Sequence, residues 1–392
     1  MSNVVISVYY GSRNAGDEAM LAAMVEVLSD LDPNLNITVI SADPADTRER
    51  HQVNSIGWLD IGSIIGALYK ADLLISGGGS LLQNVTSRRS LYYYLMIIVL
   101  AELLHTPVML YAQGIGPIQG RMARWIMRIV GNGIKQITVR DRGSLGELAQ
   151  MKIRHPAIEC TSDPVHAIHP VDRNIGRTIL KENNAYGAKP LVGISVREWQ
   201  DWTHYKAVIA RAADQIAQEF DARIVFLPMQ YPEDVHCAEM VASMTSCNAV
   251  VLHKEYTTKE LLSIVGNMDL LIGVRLHALI FAAVMGVPMI GVSYDPKIDR
   301  FLESVGESPV GDLENVKYDE LVSKVRAKWN DKAGFSKKNE QLFAELRRWP
   351  CIMPSWPLSS LIKRKKKKGN KFNQKHWKVS KSFSSVFCYT QN

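Results

Sequence analysis

Short apolar runs rich in β-branched residues alternate along this chain with longer stretches of helical period, mostly separated by glycine, proline or polar turns. Residues 4–9 predict a first strand, and after a glycine-rich turn a helical pattern covers 17–31. Further strands are predicted at 36–41, 71–76, 107–113 and 136–140, a short one at 158–160, and a helix at 88–104. Strands and helices alternating at this spacing predict a parallel sheet with helices on both faces. The pattern pauses over 170–190, where Asn183, Asn184, Gly187 and Pro190 mark a domain boundary. It restarts with strands at 191–196, 223–227, 249–252, 269–273 and 288–293. The helices between them fall at 204–220, at 258–265, capped by Thr257 or Thr258, and at 277–285, and closing helices follow at 318–329 and 336–348. The fold class is therefore α/β: two tandem Rossmann-like domains, 1–175 and 185–332, then a closing helix over 333–352 and a tail over 353–392. A cleft lies between two such domains, and ligands bind there beyond the C-terminal ends of the strands.

The composition supports this and adds a correction about charge. The 392 residues exceed one ordinary core, and 47% apolar with 22% charged residues is globular. The net charge of +7 comes from the end of the chain: residues 359–392 hold ten of the 46 basic residues and no acidic one. The remainder is slightly acidic, which argues against a nucleic-acid-binding surface. The tail reads either as a solvated extension or as a peripheral contact with anionic lipid through Lys363 to Lys368. Five scattered cysteines, none in a C-x-x-C pair, suggest a reducing compartment and no zinc site. The longest apolar stretch, 91–101, is too short to span a bilayer, and the N-terminus lacks secretory features. These features predict a cytoplasmic protein.

The chemistry-bearing motifs fall at predicted strand ends. Residues 10–18 join the first strand to the first helix and include Asn14, Gly16 and Asp17. Asp17 and Glu18 in the first helical turn oppose phosphate binding there, and the P-loop lysine is missing. Asp17 reads as an acceptor for a sugar hydroxyl, a base, or a helix-capping carboxylate. Gly77, Gly78 and Gly79 either leave backbone N–H groups free to face a ligand or form a plain glycine-rich turn, and Gln113 before Gly114 suits a sugar hydroxyl with the same ambiguity. Two further strand ends carry Arg140-Asp141-Arg142 and Ser162-Asp163-Pro164 and also read as surface ion pairs and a turn. The second half has the stronger anion signal: Arg197, Arg275 with His277, and Lys297 come from separate strand ends of one sheet edge. Guanidinium forks bind carboxylate and phosphate bidentately, so a small multiply charged anion fits the cluster. No metal-ligand spacing is present.

Taken in order, YYGSRNAGDEAML (9–21), LISGGGSLLQ (74–83), YAQGIGP (111–117), ITVRD (137–141), SDPV (162–165) and GVRLHALIFAAVMGVP (273–288), continuing into GVSYDPK (291–297), resemble the polysaccharide pyruvyl transferases of the CsaB type. The resemblance covers about residues 1–330. It implies a GT-B-like fold, no cofactor, and phosphoenolpyruvate as donor of a pyruvate ketal. It implies N-acetylmannosamine in a lipid-linked cell-wall polysaccharide precursor as acceptor, a modification that anchors S-layer proteins. On this resemblance Arg197, Arg275, His277 and Lys297 handle the donor and Asp17 the acceptor, with Asn14, Gln113 and the three glycines lining the site. His277 then serves as acid–base group or as phosphate ligand. The basic tail has no counterpart in the pattern. Two other readings fit a cleft of this kind: a GT-B glycosyltransferase using a nucleotide sugar, and a carbohydrate-binding scaffold without catalysis. Against the first, residues 240–320 lack a pair of glutamates eight apart.

Overall fold

The computed structural model describes residues 2–11, 14–85, 87–161 and 163–332, with scattered positions as far as 342. The tail over 353–392, including Lys363 to Lys368, and most of the expected helix at 333–352 lie outside the described residues. The chain opens with β1 (Asn3–Tyr10), α1 (Ala15–Leu31), β2 (Asn36–Ser41), α2 (Pro44–His51), β3 (Asn54–Gly57) and α3 (Ile61–Lys70). It continues through β4 (Leu73–Gly77), α4 (Arg88–Leu103), β5 (Val108–Gln113), α5 (Arg121–Gly133), β6 (Gln136–Val139), α6 (Arg142–Gln150) and β7 (Ala157–Cys160). A 3-10 turn at Pro164–Ala167 leads to α7 (Arg173–Glu182). The second half holds β8 (Leu191–Ser195), α8 (His204–Phe220), β9 (Arg223–Phe226), α9 (Glu233–Ser243), β10 (Val250–Val251) and α10 (Thr258–Gly266). It ends with β11 (Leu270–Gly273), α11 (Leu276–Val284), β12 (Met289–Gly291), α12 (Pro296–Ser304) and α13 (Tyr318–Asn330).

The strands form two sheets, ordered β3-β2-β1-β4-β5-β6-β7 and β10-β9-β8-β11-β12, with every pairing parallel. Strand order reverses between β1 and β4 in the first sheet and between β8 and β11 in the second. Those two switch points are where this topology opens a crevice for ligands.

Helix α1 ties the two sheets together. Leu21, Met24 and Leu28 pack into the first core, while Ala15, Ala19, Met20 and Ala23 pack into the second. A helix buried on two sides has a narrow polar face, here Glu26, Ser29 and Asp30 near its C-terminal end. The expected domain limit at 175–185 falls on and just after a helix. Residues 173–182 are the helix α7, whose Gly176 lies against the backbone of Ser263 and Ile264 in α10. The Gly176 N–H donates to Ser263 Oγ at 2.6 Å. Val165 and Ile168, ahead of α7, also pack into the second core. Much of the polar composition at 170–190 belongs to the exposed side of this short helix.

Candidate active site

The loops at both switch points meet around one cavity of about 230 Å3. Asn14, Gly16, Asp17, Gly79, Ser80 and Arg140 line it from the first domain, and Arg197, Gln230, Arg275, His277, Tyr294 and Lys297 from the second. Register explains part of this. Ser195 pairs with Gly273, so Arg197 and Arg275, each two residues further, leave the sheet edge side by side. The two halves are also stitched directly: the Ala15 N–H donates to the Met229 carbonyl at 2.8 Å.

On the first-domain side Asn14 caps α1, its Oδ1 accepting the Gly16 N–H at 2.9 Å and the Asp17 N–H at 3.4 Å. Glu18 turns away from the cavity, accepting the Gly11 N–H at 3.1 Å and lying 2.8 Å from His51 Nε2. Asp17 faces the cavity instead. Burial and the neighbouring Glu18 push its carboxyl up to about 7, against the pull of Lys297 and Arg140. Arg140 spans the floor, donating to Asp163 Oδ2 at 3.1 Å and to Ser80 Oγ at 2.7 Å. Burial raises the Asp163 carboxyl, but His277, Arg140, His166 and the Val165 N–H outweigh it and hold the group below its ordinary value.

On the second-domain side His277 opens α11, its ring packed against the Cα of Gly16, where a methyl group would overlap it. Its Nε2 is buried without a hydrogen-bond partner. Burial, with Arg140, Lys297 and Arg275 nearby, overrides the attraction of Asp163 and lowers the imidazole to about 4. His277 is therefore neutral at ordinary pH. The three cations on this side differ in how far they are already paired. Arg275 Nε donates to Asp234 Oδ2 at 2.9 Å, and its Nη2 bonds both Asp234 Oδ1 and, at 3.1 Å, Gln230 Oε1. Only its Nη1 edge remains for a ligand. Arg197 has no carboxylate partner among the described residues. It donates to the Tyr294 hydroxyl at 2.5 Å and stacks between Trp199 and Tyr294, 4.9 and 4.5 Å from the ring centroids. Lys297 Nζ is 3.5 Å from Asp295 and partly exposed. Arg197 and Lys297 thus keep the most unneutralised charge.

The expected residues divide accordingly. Asp17, Asn14, Gly79, Arg197, Arg275, His277 and Lys297 line the cavity. Gln113 does not: it is fully buried beneath the loop, donating to the Gly79 carbonyl at 3.0 Å and the Gly114 carbonyl at 3.2 Å. Gly77 and Gly78 also face inward, Gly77 against the Tyr111 backbone and Gly78 against Met20. These three residues shape the turn that presents Gly79 and Ser80 to the cavity. Arg140, Asp163, Gln230, Asp234 and Tyr294 were not among the expected site residues. Arg140 and Asp163 stand at strand ends that the sequence does mark, but paired charges there look the same in sequence as surface ion pairs. Among the described residues, no group of three His, Cys, Asp or Glu side chains is placed to hold a metal ion.

Two parallel sheets meeting at their switch points define the two-domain GT-B class of α/β fold, and solved structures share it. A UDP-GlcNAc 2-epimerase from Methanocaldococcus jannaschii superposes with TM-score 0.63 at 13% identity, covering 88% of this chain and 99% of that one. A Staphylococcus aureus MnaA–UDP complex gives 0.61 at 12%, covering 87% and 91%, and Escherichia coli ADP-heptose lipopolysaccharide heptosyltransferase II gives 0.51 at 14%, covering 85% and 100%. No curated protein sequence matches the chain. The family model for polysaccharide pyruvyl transferase matches residues 14–296, from the Asn14 cap to the start of α12, and the chain belongs to that family.

Proposed function

We propose that the cavity transfers the pyruvyl unit of phosphoenolpyruvate to two hydroxyls of a cell-wall polysaccharide sugar, in the manner of the CsaB-type members. The sugar fitting that type is N-acetylmannosamine on a lipid-linked precursor met at the inner face of the membrane. The observation carrying this reading is the convergence of Arg197, Lys297, Arg275 and Arg140 with two proton-carrying groups of opposite shift, Asp17 and His277. The cavity is smaller than the roughly 300–1,000 Å3 of sites for drug-sized ligands, which suits a compact trianion. The donor's phosphate and carboxylate bind Arg197 and Lys297, the least neutralised cations, with the Nη1 edge of Arg275 completing the clamp.

The reaction forms two C–O bonds at C2 of the enol, breaks the C2–O bond to phosphate, and adds one proton to the methylene carbon. Of the two protons lost by the sugar hydroxyls, one balances that methyl group and the other leaves with phosphate. Paired groups with pKa values driven apart identify acid and base. Asp17, held up to about 7, is the acid that protonates the methylene. His277, neutral and with Nε2 unpartnered, takes the proton of the attacking hydroxyl. In this scheme Asp17 gives up the base role expected from sequence. Charge developing on departing phosphate falls on Arg197 and Lys297.

The reaction run in deuterium oxide tests this. The product should carry one solvent deuterium in the new ketal methyl, with phosphate released in step. The same assay with a nucleotide sugar covers the alternative donor, which is relevant because one fold neighbour is a complex with UDP. Transfer from that sugar without phosphate release from phosphoenolpyruvate would reject the proposal.

A further inference from the structure

Surface helices usually turn polar side chains to water, and three neighbouring helices here do the reverse. The exposed stripe of α4 is Tyr92, Met96 and Leu103, with Val99 partly exposed between them. On α5 it includes Met122, Trp125 and Ile129, and on α3 Ile61, Ile65 and Tyr69, while Trp58 and Leu59 lead into α3. Tyr69 is 74% exposed, Leu59 71% and Leu103 69%. The helices pack side by side, α3 on α4 and α4 on α5, so the stripes make one surface. Apolar surface of this extent on a soluble domain marks an interaction site.

Charge selects the occupant. The three helices carry Lys70, Arg88, Arg89, Arg121, Arg124 and Arg128 against one carboxylate, Glu102, which is half-buried and pushed up to about 7 by burial. Asp60, at the start of α3, turns its carboxylate onto Ser63, 2.6 Å from the hydroxyl. Arg124 pairs with Glu147 at 3.4 Å, but Arg88, Arg89, Arg121 and Arg128 have no carboxylate partner among the described residues. The rest of the chain ahead of the tail is acidic overall, so this basic excess is local. Aromatic and aliphatic side chains interleaved with unpaired arginines are the chemistry of an anionic bilayer surface.

Position agrees with that occupant. Each helix follows its strand, so α3, α4 and α5 all begin at the C-terminal edge of the sheet, the edge that opens on the cavity. Trp58, Val85, Arg88, Arg89, Met122 and Trp125 stand at that end. Trp58 is fixed there: its ring meets Tyr93 edge-on at 5.7 Å, and the Tyr93 hydroxyl donates to the Trp58 carbonyl at 2.8 Å.

We infer that the α3–α4–α5 face of the first domain docks on an anionic phospholipid bilayer and brings the cavity mouth to the membrane surface. This inference is separate from the donor: a chain that binds vesicles yet releases no phosphate from phosphoenolpyruvate would end the pyruvyl-transfer reading and leave this face standing.

The test is co-sedimentation of the full chain with vesicles of phosphatidylcholine, alone and mixed with phosphatidylglycerol. Three variants are compared, W58S/L59S, M122S/W125S and R88E/R89E, with thermal unfolding reporting their fold. Binding to the mixed vesicles is expected, and each apolar variant should weaken it by about tenfold or more. R88E/R89E should weaken it by at least roughly tenfold, since each basic residue contributes about fivefold. Acyl-brominated lipid should quench the fluorescence of the unmodified chain, a readout that survives a misfolded variant. Unchanged binding in all three variants would overturn the inference and move the contact to the basic tail. A dimer in sedimentation velocity that M122S/W125S abolishes would overturn it in favour of a second copy of the chain.

Discussion

Gly16 and His277 show how little room the chemistry has. The imidazole rests on the Gly16 Cα, so Gly16→Ala should push the ring out of line while leaving the α1 backbone able to form. Displacement on the order of 1 Å costs about a hundredfold in rate. The expected outcome is a fall in kcat of that size together with a loss of about 1–3 kcal/mol in stability from the overpacked ring; an unaffected kcat would remove His277 from the chemistry. The two titrating groups add a pH signature. Neutral His277 accumulates above about 4, and protonated Asp17 is lost as pH rises through about 7. The kcat/KM profile should therefore be bell-shaped with limbs near those values, and Asp17→Asn should abolish the alkaline limb. A rate that climbs through neutral pH would make Asp17 the base. His277, Arg275, Lys297 and Arg197 could be picked out because each lies at or just beyond the end of an apolar strand, and in the structure all four line the cavity. Arg140 and Asp163 were ambiguous because they are each other's partners. Gln113 was ambiguous for a related reason: a strand-end amide satisfied by backbone carbonyls has the same sequence signature as one that meets a sugar.

At the scale of elements, two close fits can be separated. Gly77 sits where β4 meets β5, and a methyl there would run into the Tyr111 backbone, 2.7 Å from its nitrogen. Backbone cannot yield as a side chain does, so Gly77→Ala should cost about 1–3 kcal/mol or more in a denaturant titration. Thr257 settles the cap of α10 left open by the sequence. It forms a reciprocal capping box with Glu260, whose Oε2 accepts the Thr257 N–H at 2.7 Å. Thr257→Ala should cost about 1 kcal/mol with turnover unchanged. The buried strands were readable because parallel strands covered on both faces are continuous apolar runs. The helices α2, α3, α5, α6, α7, α9 and α12 were not. Several are short, and α3 and α5 carry apolar residues on their outer side, which blurs the period that signals a helix.

At the scale of the whole molecule α1 is the joint, contributing one face to each core. Ala19 is fully buried on the side facing the second core, and Ala19→Leu should overpack it by about 1–3 kcal/mol. Calorimetry should then show one cooperative transition shifted down; two transitions, only one of them moved, would mean that the domains unfold independently. Ion pairs also cross between the halves, Arg300 to Asp141 at 3.0 Å and Arg50 to Glu255 at 2.5 Å. The two-domain plan was legible from the restarting strand pattern. The joint was not, because a helix buried on both faces looks like any apolar helix until its second neighbour is known. The cavity exists only because these halves meet, so its activity is the property to measure first. The folded chain is incubated with phosphoenolpyruvate and a lipid- or nucleotide-linked acceptor containing N-acetylmannosamine, and phosphate and product mass are followed together. Phosphate released in proportion to a product heavier by one pyruvyl ketal is the predicted result. Neither signal across several acceptors, with unfolding temperature raised by UDP and not by phosphoenolpyruvate, would contradict it.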